Sequence, residues 1–185
     1  MPDKVLGSIT IQTLDENGGS LDTYKYYKGG SLKYKTEGWY FGTDRITADN
    51  DVTFDVGDGL WVAGLEGVTF TTSGEVVQQN IDCELIEGSR MLCNPYPCDI
   101  KLTQISLHNL PDKVLGSITI QTLDENGGSL DTYKYYKGGS LKYKTEGWYF
   151  GTDRITEEND VTFASGDGLW VAGLANVILR FNKPF

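Results

Sequence analysis

The sequence predicts an all-β fold: antiparallel, β-sandwich-like and internally duplicated. Three observations predict it. Pro2–Leu65 and Pro111–Leu174 align without a gap at an offset of 109 residues, and differ only at Ala48/Glu157, Asp49/Glu158, Asp55/Ala164 and Val56/Ser165. Self-similarity at a long fixed period marks a repeat architecture. Short runs rich in β-branched and aromatic residues alternate with polar ones, the pattern of strands with two different faces. Finally, 23 glycines against 5 prolines in 185 residues suit many strands joined by tight turns, because glycine supplies the positive φ that such turns demand.

Each copy then reads in order. Ser8–Leu14 alternates as Ser-Ile-Thr-Ile-Gln-Thr-Leu and runs into Asp15-Glu16-Asn17-Gly18-Gly19, where Asn-Gly signals a hairpin. Ser20–Lys28 is the partner strand, and Gly29-Gly30 turns the chain again. Leu32–Lys35, Gly38–Phe41 and Val52–Phe54 read as short strands. Gly57-Asp58-Gly59 turns into the strand Leu60–Ala63, and Val68–Thr72 closes the copy. The expected domains are 1–70 and 111–185, one copy each, with a unique strand-bearing connector at 71–110 that carries all three cysteines.

In the connector, Ile81–Ile86 and Arg90–Asn94 read as a hairpin around Glu87-Gly88-Ser89. Counting back along both strands sets Cys83 opposite Cys93, where a cross-strand disulfide is plausible. The alternative is that all three cysteines, Cys98 included, are small buried apolar residues. Zinc is disfavoured, since no close cysteine pair exists and His108 is the one histidine. Asn94-Pro95-Tyr96-Pro97 reads as a rigid break, and Asp99–Leu107 as one further strand.

A strand ending in Asn-Pro-Tyr-Pro, followed by hairpins, Gly-Asp-Gly-Leu-Trp-Val and a closing strand, resembles the β-sandwich tandem repeats of bacterial secreted and surface proteins that self-assemble as structural material. The likeness covers about residues 75–181 as one unit. It implies an extracellular or cell-surface location and no catalytic role, and it carries over no functional residue. On this division copy two has a connector before it and copy one does not. Either the single connector serves both copies, or copy one borrows strands from a neighbouring chain by strand addition.

Composition narrows the function further. A net charge of −10 argues against nucleic acid, whose binders cluster Lys and Arg on phosphates. No apolar run is long enough for a spanning helix, so membrane insertion is not expected. Residues 1–10 lack the basic and apolar regions of a signal peptide. His108, beside Asn109 at the end of a strand, reads as a surface histidine, no carboxylate pair is marked out, and Gly57-Asp58-Gly59 lacks a phosphate-binding lysine. The expectation is therefore no enzyme and no cofactor. Calcium is the one ion to consider, at Asp44/Asp49/Asn50/Asp51 or Asp15/Glu16/Asn17. Turn formation by Asp and Asn accounts for the same residues.

The candidate interaction residues are aromatic: Tyr24, Tyr26, Tyr27, Trp39 and Tyr40, repeated as Tyr133, Tyr135, Tyr136, Trp148 and Tyr149. Aromatic faces stack on sugars or anchor protein interfaces, and they also pack across strands as ladders. Lys25, Lys28, Lys33 and Lys35 make a basic island, and Asp44, Asp49, Asp51, Asp55 and Asp58 an acidic one. Such islands can set register between copies. The leading expectation is a non-enzymatic structural protein that self-associates into a homo-oligomer, ring or filament through β-strand and aromatic contacts. The alternative is a carbohydrate-binding or adhesive module, with a glycan as partner.

Overall fold

The computed structural model describes residues 3–15, 19–29, 36–69, 75–124, 126–139 and 145–184. The expected strand Leu32–Lys35, the turn residues Asn17 and Gly18, Lys33, Lys35 and most of Val68–Thr72 lie outside them. The described chain is all-β, built from several antiparallel sheets. In chain order the strands are β1 (Val5–Leu14), β2 (Ser20–Lys28), β3 (Gly38–Phe41), β4 (Asp44–Arg45), β5 (Trp61–Ala63), β6 (Ile81–Glu84), β7 (Gly88–Cys93) and β8 (Ile100–Lys101). A 3-10 turn, Leu102–Gln104, separates β8 from β9 (Ile105–His108). There follow β10 (Val114–Leu123), β11 (Ser129–Lys137), β12 (Gly147–Phe150), β13 (Asp153–Arg154), β14 (Thr162–Phe163), β15 (Gly168–Gly173) and β16 (Ile178–Phe181). No helix among the described residues is long and apolar enough to cross a membrane.

Two compact units emerge. The first holds most of copy one, and its sheet runs β4-β3-β2-β1-β5. β1 and β2 pair from Val5 opposite Lys28 to Leu14 opposite Ser20, with a bulge between Leu6 and Ile9. Gly7 makes that bulge at φ +79°, and a Cβ there would lie 2.8 Å from the Tyr27 hydroxyl, so both backbone and space demand glycine. β5 pairs with β1 through Trp61, Val62 and Ala63. Among the described residues of this unit, Val5, Ile9, Ile11 and Tyr40 are the buried apolar ones.

The second unit holds Val56–Gly59 and the chain from Val76 onward. Its largest sheet runs β13-β12-β11-β10-β15-β7. The β10–β11 register repeats that of β1–β2 residue for residue. A three-stranded sheet, β6-β16-β9, and the short pair β14-β8 complete the unit. One buried cluster draws on all of them, with Leu92, Ile118, Ile120, Phe163, Leu169, Val171, Leu179 and Phe181 at its centre.

The connector departs from the expected hairpin. β6 pairs with β16 and β7 with β15, so the two strands enter different sheets and Cys83 does not face Cys93 in a ladder. β15 offers β7 a ladder of six residues, longer than the four-residue β6 could give, while β6 pairs over its full four residues with β16. Both thiols, like Cys98, are free. Asp99–Leu107 likewise divides, because the 3-10 turn lets β8 and β9 serve separate sheets.

Candidate functional site

The same sequence meets two environments at β5 and β15. Gly59–Leu65 and Gly168–Leu174 are identical, and both strands pair on one side with the long first strand of their copy. On its other side β15 pairs with β7, from Gly168 opposite Cys93 to Gly173 opposite Gly88. No strand pairs with that side of β5 among the described residues. Val171 is 1% exposed and Val62 is 42% exposed. Phe163 is fully buried, whereas Phe54 is 38% exposed. Alternation places Leu60 and Val62 on one face of β5, the face that Leu169 and Val171 bury in copy two.

Glycines sharpen the contrast. A Cβ at Gly173 would lie 2.6 Å from the Leu85 Cβ, so the glycine makes a notch that Leu85 fills. A Cβ at Gly64 would meet nothing within 4 Å. Copy one thus carries the notch without the side chain that fits it.

Asn94 fastens the connector to copy two. Its side-chain amide donates to the carbonyls of Cys98 (2.8 Å), Phe163 (3.2 Å) and Ala164 (3.1 Å), and its Oδ1 accepts the Tyr96 N–H (3.0 Å). The Tyr96 hydroxyl lies 2.9 and 2.8 Å from the carbonyls of Gln79 and Phe181, and Ser165 Oγ donates to the Tyr96 carbonyl at 2.9 Å. Asn94-Pro95-Tyr96-Pro97, expected as a rigid break, also holds this clamp. A buried asparagine is the one signal that could have found it, and burial is not written in a single sequence.

Within the second unit the connector meets Gly57–Gly59 of copy one. Gly59 N–H donates to the Met91 carbonyl (3.3 Å), and Cys93 N–H to the Gly57 carbonyl (2.9 Å). Arg90 holds Asp58 at 3.0 Å. Burial pushes the Cys83 thiol up to about 11 and raises that of Cys93 too. Such thiols stay protonated and unreactive at neutral pH.

The candidate aromatic residues turn mostly toward one another. Tyr26 meets Trp39 edge-on at 5.4 Å, Tyr27 meets Tyr40 at 5.5 Å and Tyr24 lies 5.4 Å from Phe41. Tyr135–Trp148, Tyr136–Tyr149 and Tyr133–Phe150 repeat these contacts. Tyr133, Trp148, Tyr149 and Tyr40 are buried, and the others are half-buried. Phe41 and Phe150 are the exposed rings of the group. Tyr26 donates to Glu37 at 2.5 Å, which raises its phenol first of all; Tyr135 donates to Glu146 at 2.7 Å, but burial is the larger cause of its upward shift.

The acidic loops are spent on local structure. Asn50 Oδ1 accepts from the Thr47 N–H and hydroxyl, while its amide donates to the Arg45 carbonyl. Among the described residues no three His, Cys, Asp or Glu side chains gather as a metal site. His108 Nε2 lies 3.2 Å from Ser106 Oγ, on β9. No protein family, curated protein or solved structure matches the chain.

Proposed function

We propose that the chain is a structural protein of an extracellular or cell-surface assembly, made of two sandwich-like units of one duplicated design, and that it self-associates through the β5 side of copy one. The observation that carries the reading is the exposure of Val62 beside the burial of Val171. An edge strand with apolar residues and open backbone groups is a template for pairing with another chain. Natural edges are usually protected by lysine, proline or a covering element, and Trp61-Val62-Ala63 carries none of these side chains. Rows of paired aromatics stiffen the sheet behind that edge. The net charge of −10 opposes association at low salt, and screening at about 0.15 M ionic strength relieves it.

Light scattering on size-exclusion fractions, at low and physiological salt, tests the reading. Particles larger than 20.5 kDa that grow with concentration and with salt, and show as rings or fibres by negative-stain microscopy, are expected. A monomer at every concentration and salt overturns it.

A further inference from the structure

We infer that Leu60–Gly64 is the receptor for one kind of ligand: an extended strand of β7 type, with a leucine placed to enter the Gly64 notch, presented by another polypeptide. This names the partner of the edge proposed above and rests on that reading in using the same edge.

The chain itself displays the complex. On β15, Leu92 stands opposite Leu169, Met91 opposite Trp170, Arg90 opposite Val171, Ser89 opposite Ala172 and Gly88 opposite Gly173. Every acceptor residue in that set is repeated in copy one, as Leu60, Trp61, Val62, Ala63 and Gly64. The strand behind it is repeated too, with Thr10, Ile11 and Gln12 on β5 where Thr119, Ile120 and Gln121 stand on β15. Two independent features therefore predict the ligand. The unpaired side of β5 asks for an antiparallel strand, and the empty space over Gly64 asks for the side chain that Leu85 supplies at Gly173. The chain's own β7 is already engaged on β15. Its other edge carries Gly57–Gly59, through Asp58 opposite Leu92 and the Cys93 N–H on the Gly57 carbonyl, so among the described residues β7 is engaged on both sides and the strand proposed for copy one is a further one. Backbone pairing supplies affinity in such strand addition, and the notch supplies selectivity.

The test uses the full chain and a synthetic peptide of residues 84–94 with Cys93→Ser. Hydrogen exchange is followed segment by segment. Binding of one peptide per chain is expected, slowing exchange of the Leu60–Gly64 amides by about tenfold or more and leaving Leu169–Gly173 unchanged. Gly64→Val fills the notch where a Cβ meets open space, so the variant folds, and it abolishes the protection. The peptide with Leu85→Asp protects nothing. Protection that appears only at Leu169–Gly173, or nowhere, overturns the inference. Large particles that ignore the peptide leave self-association standing and remove this partner. A peptide that binds a chain monomeric at all concentrations does the reverse.

Discussion

Phe54 follows Asp51-Val52-Thr53, and Phe163 follows Asp160-Val161-Thr162, the same three residues. One ring is more than a third exposed and the other sees no solvent. Thr162–Phe163 forms β14 against β8, while Thr53 and Phe54 have no strand structure. The residues are equal, so the difference lies in what surrounds them. Two of the four substitutions fall where the connector grips copy two: Ser165 binds the Tyr96 carbonyl, where Val56 in copy one has no hydroxyl to offer, and Ala164 replaces Asp55. A strand of two residues exists only when a partner strand is supplied, because its hydrogen bonds are all made to that partner. Sheet structure is thus a property of pairs, and identical sequence gives it only where the pair is complete.

The largest expected effect breaks or upholds this comparison directly. Phe163→Ala should destabilise the second unit by about 3–5 kcal/mol, whereas Phe54→Ala should cost the first unit about 1–2 kcal/mol, since part of that ring is already in water. Segment-resolved hydrogen exchange reads the two units separately. Equal costs would mean that Phe54 is covered in solution. Next comes the clamp: Asn94→Ala leaves the Phe163, Ala164 and Cys98 carbonyls without their donor and should cost about 2–3 kcal/mol. Protection should fall across β7, β14 and β15 and stay unchanged across β1 and β2. A loss spread evenly over both units would contradict the assignment of Asn94 to copy two alone.

The smallest effect separates twin tyrosines. Glu37→Gln should bring the Tyr26 phenol back toward its ordinary value, because that hydrogen bond is the first cause of its shift. Glu146→Gln should leave Tyr135 well raised, because burial dominates there. Both folded values lie above the unfolded one of about 10. Their contribution to stability is therefore whole below about pH 10 and is lost as pH rises through the folded values. Phenolate absorbance against pH distinguishes the two. Equal responses in the two variants would erase the contrast in burial.

Much of this was legible beforehand. Ser20–Lys28 and Gly38–Phe41 appear as read, and Ser8–Leu14 lies within β1. Alternation and turn glycines are local signals, and these strands pair with their chain neighbours. The failures are all non-local. The β6–β7 hairpin was expected because the two segments are adjacent, and each went instead to a strand about eighty or more residues away in sequence. Val52–Phe54 reads as a strand in both copies, and only copy two makes its counterpart one. The receptor side of β5 was foreshadowed only as missing strands, since exposure of Val62 depends on a neighbour that its own sequence does not encode.

The near-identity of β5 and β15 has a consequence for how the chain finds its structure. While the chain is folding, β7 meets two docking edges with the same residues from Leu60 or Leu169 onward. Docking on the wrong one is a native-like trap that only strand release can correct. Ser165 breaks the tie, because its hydroxyl holds the Tyr96 carbonyl and Val56, its counterpart in copy one, has none to offer. The clamp therefore acts as a sorting device in time, deciding which of two equal beginnings leads to the finished fold.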